Sequence, residues 1–108
     1  MRVHWRFILD TNNISKSKKI ESKIIDQLHG MQSQVVIREK YWKDETKYLL
    51  EVQSDFIEDN VLESLFYIIA RFSSSWHMNI SQGRMEDISG TCDAPSFLGL
   101  SWVSFSLR

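Results

Sequence analysis

The chain has 108 residues and a formal net charge of −1, from 13 Lys and Arg against 14 Asp and Glu. That length holds a single domain, 1–108, and a composition 43% hydrophobic and 25% charged excludes a disordered or collagen-like chain. One cysteine, Cys92, excludes an internal disulfide framework, and one Pro with four Gly excludes a low-complexity organisation.

Strict alternation predicts a first strand in which Val3, Trp5, Phe7 and Leu9 face one way and His4, Arg6 and Ile8 the other. The turn formers Asp10-Thr11-Asn12-Asn13 end it. A helix follows from Ser15 or Ser17, either of which can cap its first turn, to His29. Ile20, Ile24, Leu28 and Met31 form its apolar stripe, widened by Ile25, and Gly30 is placed to end it in a left-handed cap.

The next two strands read as a hairpin. Gln34–Trp42 sets Val35, Ile37 and Tyr41 against Val36, Arg38, Lys40 and Trp42. Lys47–Ser54 sets Tyr48, Leu50 and Val52 against Lys47, Leu49, Glu51 and Gln53. The polar Lys43-Asp44-Glu45-Thr46 is short enough for the turn, and the opposed basic and acidic side chains are expected to pair across the two strands.

A second helix runs over Glu58–Phe72, capped by Asn60 with Glu63 at capping-box spacing, or by Asp59. Val61, Leu62, Leu65, Phe66, Ile68, Ile69 and Phe72 give it a broad apolar face. Ser73-Ser74-Ser75 stops it, and Trp76–Ser81 alternates again, with Trp76, Met78 and Ile80 on one side.

The order strand, helix, strand, strand, helix, strand is that of an α+β, ferredoxin-like split βαβ. In that arrangement two helices cover one face of an antiparallel sheet and hide Trp5, Phe7, Ile37, Leu50 and Ile80. Gln82–Pro95 reads as a long connection or an irregular hairpin arm. Phe97–Leu107 is apolar in both phases and is expected as a fifth strand beside the fourth, covered on both faces or presenting one to a partner.

The chemistry is sparse. His4, His29 and His77 lack the spacing of a helical metal site, and only a pairing of the first and fourth strands would bring His4 and His77 together. Cys92 stands next to Asp93, whose charge raises a thiol pKa and opposes a nucleophilic role. The carboxylate pairs Asp44-Glu45, Glu58-Asp59 and Glu86-Asp87 fall in turns or helix starts, and no phosphate loop or nucleophile elbow is present. The sequence therefore predicts no enzyme, no cofactor and no metal. The apolar part of MRVHWRFILD is too short and too charged for a signal-peptide core. The longest other apolar run, Leu65–Ala70, is far short of the roughly 18 residues of a membrane span. A cytoplasmic protein without membrane contact is expected.

Charge is unevenly placed: residues 1–47 hold ten basic and six acidic groups, residues 48–108 three basic and eight acidic. The near-neutral total argues against direct nucleic-acid binding. Alternation sets Trp42 and Trp102 off their strands' core faces, which makes them candidates for partner contacts.

With VHWRFILDTNN before a lysine-rich helix, the Glu58–Phe72 helix and the closing LSWVSFSL strand, the chain resembles the immunity proteins of bacterial polymorphic toxin and contact-dependent inhibition systems. The resemblance implies a protein that binds a cognate toxin domain, often a nuclease, and blocks it. On that reading Trp102 and Trp42 anchor the partner, while Asp55, Glu58, Asp59, Glu86, Asp87 and Asp93 steer a basic one. The alternative is a regulatory or assembly domain that homodimerises through its exposed sheet face or edge.

Overall fold

The computed structural model describes residues 2–57, 60–80 and 88–107. The elements are β1 (Arg2–Leu9), α1 (Ile14–Gln27), β2 (Met31–Lys40), β3 (Tyr48–Phe56), α2 (Val61–Ala70), β4 (His77–Asn79), β5 (Ser89–Cys92) and β6 (Leu100–Leu107). The six strands form one sheet in the order β2-β3-β1-β6-β5-β4, antiparallel at every junction. This is an α+β chain with two helices on one face of its sheet.

Two expectations about strand order change. The sheet has six strands rather than five, because the 82–95 segment contributes β5, realising the hairpin-arm alternative. The place beside β1 belongs to β6, not to the strand that follows α2. Burial explains the choice. Strand β6 has Val103, Phe105 and Leu107 fully buried on one face and half-buried Trp102 on the other, so it belongs in the interior of a sheet. β4 has three residues, two of them exposed, and sits at the edge.

The core is aromatic. Trp5 is 1% exposed and lies 6.0 Å from Phe7, 6.0 Å from Phe72 and 5.8 Å from Phe105, between ring centroids. Ile24 and Leu28 close it from α1, and Leu65, Ile68 and Ile69 from α2. Burying an indole costs its N–H a water partner, and Trp5 Nε1–H recovers one by donating to Ser54 Oγ at 3.1 Å. Ser54, itself fully buried, is 2.7 Å from Ser33 Oγ on the neighbouring strand. Trp76 ties the end of α2 to the start of β4, its Nε1–H shared between the carbonyls of Ile69 and Ser73. Arg71 reaches from that end of α2 to the carbonyl of Gln27 at 2.6 Å, locking the two helix ends together.

Helix starts differ in detail from the expectation. α1 is capped by Asn13, whose side chain accepts from the Lys16 N–H at 3.1 Å, and not by Ser15 or Ser17. Ser17 is buried inside the first turn and donates back to the Ile14 carbonyl. At α2, Asn60 bonds the Glu63 carboxylate side chain to side chain and caps no backbone N–H. Asp59 lies outside the described residues. α2 ends at Ala70, and fully buried Phe72 follows in the turn. Met31, expected on the α1 stripe, opens β2.

A bulge changes β2. Val35 pairs with Val52, but Ile37 pairs with Glu51, so Val36 is the extra residue. Every later side chain swaps face. Ile37 leaves the core and is 36% exposed, while Arg38 turns to the helix side and bonds Glu21 of α1 at 2.6 Å. The expected cross-hairpin ion pairs do not form: Arg38 reaches a helix, and Glu51 pairs with Arg6 of β1. Ile80, also expected in the core, lies beyond the short β4 and is 60% exposed. Cys92, expected in a loop, ends β5 and is buried in the core.

Gly99 precedes β6 at φ +92°, and its carbonyl accepts from the Asp10 N–H at 2.8 Å. A Cβ there would stand 2.8 Å from the Ile20 side chain, whereas at Gly30, φ +95°, it would meet nothing. Gly30→Ala should therefore lose only the backbone cost, about 1 kcal/mol, and Gly99→Ala about 1–3 kcal/mol, read from urea unfolding midpoints. Equal losses would mean that Ile20 yields freely. Ser54→Ala strands the Trp5 indole N–H in the core and should cost about 1–3 kcal/mol in the same measurement, whereas a loss under about 0.5 kcal/mol would show that the indole finds another acceptor.

Candidate functional site

With both helices on one face, no helix among the described residues covers the other face of the sheet, and the pairing register lays its residues out in rows. The first row crosses β2, β3, β1 and β6 as Glu39, Leu49, Ile8 and Trp102. The second runs Ile37, Glu51, Arg6, Ser104, Thr91 and His77 from one edge to the other. The third is polar: Gln34, Gln53, His4, Ser106, Ser89 and Asn79. The open face thus grades from apolar at the β2–β3 turn to polar at the far end.

The turn folds onto the apolar row. Tyr41 N–H bonds the Lys47 carbonyl at 2.9 Å to close the 41–47 loop. Lys47 then reaches across the sheet end, its Nζ 2.8 Å from Asp10 Oδ1 and 2.9 Å from Ser101 Oγ. Ser101 is available because the β1–β6 register slips between Ile8 and Leu9, leaving it unpaired between Leu100 and Trp102. Between loop and sheet is a cleft of about 440 Å³ lined by Arg6, Ile8, Tyr41, Lys43, Asp44, Lys47, Ser101 and Trp102. A smaller hollow of about 220 Å³, lined by His4, Trp5, Arg6, Glu51, Ser104 and Ser106, shares Arg6 with it.

Of the two expected tryptophans, Trp102 lines this cleft and Trp42 packs beside its lining residues Tyr41 and Lys43. Trp102 is half-buried in its wall. Trp42 is 73% exposed at its rim, edge-on to Tyr41 at 5.9 Å between centroids, with Lys43 Nζ 4.9 Å above its ring. Lys43 makes no ion pair among the described residues. Arg6 is held by Glu51 at 3.2 Å and Lys47 by Asp10. Asp44 is turned inward on Thr46, accepting from its backbone N–H at 2.9 Å and its hydroxyl at 2.6 Å.

The two expected acids among the described residues, Asp55 and Asp93, do not line the cleft. Asp55 is bound by Arg2 at 2.9 Å, and its pair lies six residues along β1 from Ile8, about 20 Å from the cleft. Asp93 is exposed just past the end of β5, one step beyond the Cys92–Val103 pair. Glu58, Asp59, Glu86 and Asp87 lie outside the described residues. The cleft's own charge is the opposite of the expectation, with Arg6, Lys43 and Lys47 against Asp44. Arg6, Ile8, Tyr41, Lys43, Lys47 and Ser101 were not singled out in the sequence as site residues. The one available signal was Ile8, an aliphatic residue in the polar phase of the first strand.

His4 and His77 share the open face, but β6 and β5 stand between their strands, which separates them by at least about 14 Å. Among the described residues no group of three or more His, Cys, Asp and Glu is placed to hold a metal ion. Among them, too, no helix is long and apolar enough to cross a membrane. A wider hollow of about 650 Å³ on the outer side of α2 is lined by Asn60, Leu62, Glu63, Phe66, Tyr67 and Ala70. Its one carboxylate is already engaged by Asn60.

Hydrogen bonds from the Thr46 side chain and backbone hold the Asp44 carboxyl below the usual carboxylate range. A carboxyl depressed on folding stabilises the protein above its unfolded pKa, and this contribution fades as pH falls through its folded value. Thr46→Ala should raise the Asp44 pKa toward its ordinary value, followed by carboxyl-carbon NMR between about pH 2 and pH 6. An unmoved titration would show that Thr46 does not hold the group.

No protein-family model, no curated protein and no solved structure matches this chain.

Proposed function

We propose that this protein acts by contact, as an inhibitor that binds a cognate toxin domain with the loop end of its open sheet face. One observation carries the reading: Trp102 walls a ligand-sized cleft on the sheet face opposite the helices, and an exposed tryptophan, Trp42, packs edge-on against Tyr41 of its lining. Tryptophan is enriched among the residues that dominate binding energy, because a large rigid surface is desolvated at little entropic cost. Backbone rigidity supports it too, since the cleft sits on β1 and β6, both inside the sheet, and Lys47 pins the loop to them.

The scaffold reads as a split βαβ core, β1-α1-β2-β3-α2, in which β6 fills the fourth-strand position and β4 with β5 extends the edge. Asp93 can steer a basic region of the partner, whereas Asp55 is neutralised by Arg2. The rival reading, homodimerisation through the exposed sheet face or an edge, meets resistance at the β2 edge. A bulge at Val36 and the run Arg38-Glu39-Lys40 are devices that discourage strand addition.

A growth-rescue assay tests the proposal. The C-terminal domain of a large exported protein encoded next to this chain is expressed in a naive host, with and without this protein. Growth arrest should be relieved by the wild-type chain. The double variant Trp42→Ala/Trp102→Ala should lose at least about 2 kcal/mol of binding, near 30-fold in affinity, and protect poorly. Trp42→Ala alone should leave folding stability within about 0.5 kcal/mol, since the side chain packs on little. A wild-type chain that never protects defeats the inhibitor reading, and a double variant that protects fully moves the contact elsewhere.

A further inference from the structure

The cleft has a chemical character of its own, which points to the kind of segment that would fill it. Its floor and walls are apolar and aromatic (Ile8, Tyr41, Trp102), its volume falls within the roughly 300–1,000 Å³ of small-ligand sites, and its ionic lining is mostly cationic. We infer that it receives an acidic segment of the partner polypeptide, with an apolar or aromatic side chain between Tyr41 and Trp102 and a flanking carboxylate beside Lys43 and Arg6. This inference rests on the reading of the open face as a protein-contact surface and names the chemistry of what docks there.

Charge complementarity selects the carboxylate. Of the three cations, Lys47 is committed to Asp10 and Ser101, and Arg6 shares its guanidinium with Glu51 while its side chain stays 54% exposed. Lys43 has the Trp42 ring beneath it and no ion pair among the described residues, so an incoming carboxylate gains a charge-assisted partner without breaking one. The acid in the lining, Asp44, is kept ionised by its Thr46 hydrogen bonds, so the cleft's three cations are set against one negative charge. Beyond Arg6 the hollow offers the Ser104 and Ser106 hydroxyls but also Glu51, so the segment's carboxylate belongs at the Lys43 end and neutral residues follow it. From Ile8 to His4 is about 14 Å, the length of some four extended residues.

A single-stranded nucleic acid fits less well. Its phosphates need a continuous cationic track, but Glu51 lies in the next row of the face and the cations gather at one end.

The test titrates the full-length, isotope-labelled protein with three blocked pentapeptides, followed by amide NMR. One reads Gly-Asp-Trp-Glu-Gly, its neutral twin Gly-Asn-Trp-Gln-Gly, its basic twin Gly-Lys-Trp-Arg-Gly. The acidic peptide should bind saturably, shifting Arg6, Ile8, Ser101 and the Trp102 indole N–H, and about tenfold more tightly than the neutral twin. Lys43→Gln should weaken the acidic peptide about 3–10-fold and leave the neutral twin unchanged, as should raising salt from about 0.05 M to about 0.5 M. Trp102→Leu should weaken both.

No saturable binding at millimolar peptide, equal affinity for the neutral or basic twin, or shifts clustered away from the cleft would overturn the inference. So would a ten-nucleotide oligo-U that binds the same face more tightly than the acidic peptide. If the acidic peptide fails while growth rescue still depends on Trp42 and Trp102, the contact reading survives and only the acidic-segment chemistry is lost.

Discussion

The aromatic cluster of Trp5, Phe7, Phe72 and Phe105 closes one face of the sheet and only one. Strand, helix end and turn all feed it: Phe72 leaves α2 to fill it, and Phe97 follows from the segment before β6. Two short helices have enough surface to cover that single face. The other side of the sheet must then be polar, covered by something else, or used. It is polar along two rows and apolar along the third, and the apolar row is where the 41–47 loop folds over. The candidate site is thus a consequence of one-sided burial and not an addition to it.

Both strand irregularities bear on that site. The extra residue at Val36 turns Ile37 out of the core and hands Arg38 to Glu21 on α1. The slip between Ile8 and Leu9 frees Ser101 to accept Lys47, whose other bond to Asp10 pins the loop. Bulges bend a strand and re-aim its side chains, and they collect near functional surfaces for that reason. Here they set which side chains meet across the cleft and how closely the loop approaches the sheet.

The ion pairs follow a similar logic. Each of the four in the described residues joins different elements: Arg2 to Asp55, Arg6 to Glu51, Arg38 to Glu21 and Lys47 to Asp10. Being half-exposed they add little stability individually. Their larger effect is to pair charges near the sheet and leave Lys43 as the cleft cation that makes no ion pair among the described residues.

Local order by itself determined a good deal of this protein. Period-two alternation set the face of Trp5, Phe7, Leu50 and Val52 correctly, because a side chain's side of a strand depends only on counting. The helical stripe of Ile24, Leu28, Leu65 and Ile69 was legible for the same reason, with a period near 3.6. Trp102 stood out as off-phase and lines the cleft, whereas Trp42, counted as the end of the second strand, falls beyond it in the 41–47 loop. What counting does not reach is anything that depends on a partner strand. The bulge at Val36 exists only relative to β3, so Ile37 and Arg38 were assigned to the wrong faces. Strand β6 enters beside β1 because its two apolar sides need neighbours on both, a competition among strands that no single segment records. Asp55, held by Arg2, and Asp93, past the end of β5, stand away from the cleft, and the cations that line it come from β1 and the 41–47 loop, brought together only when the sheet forms.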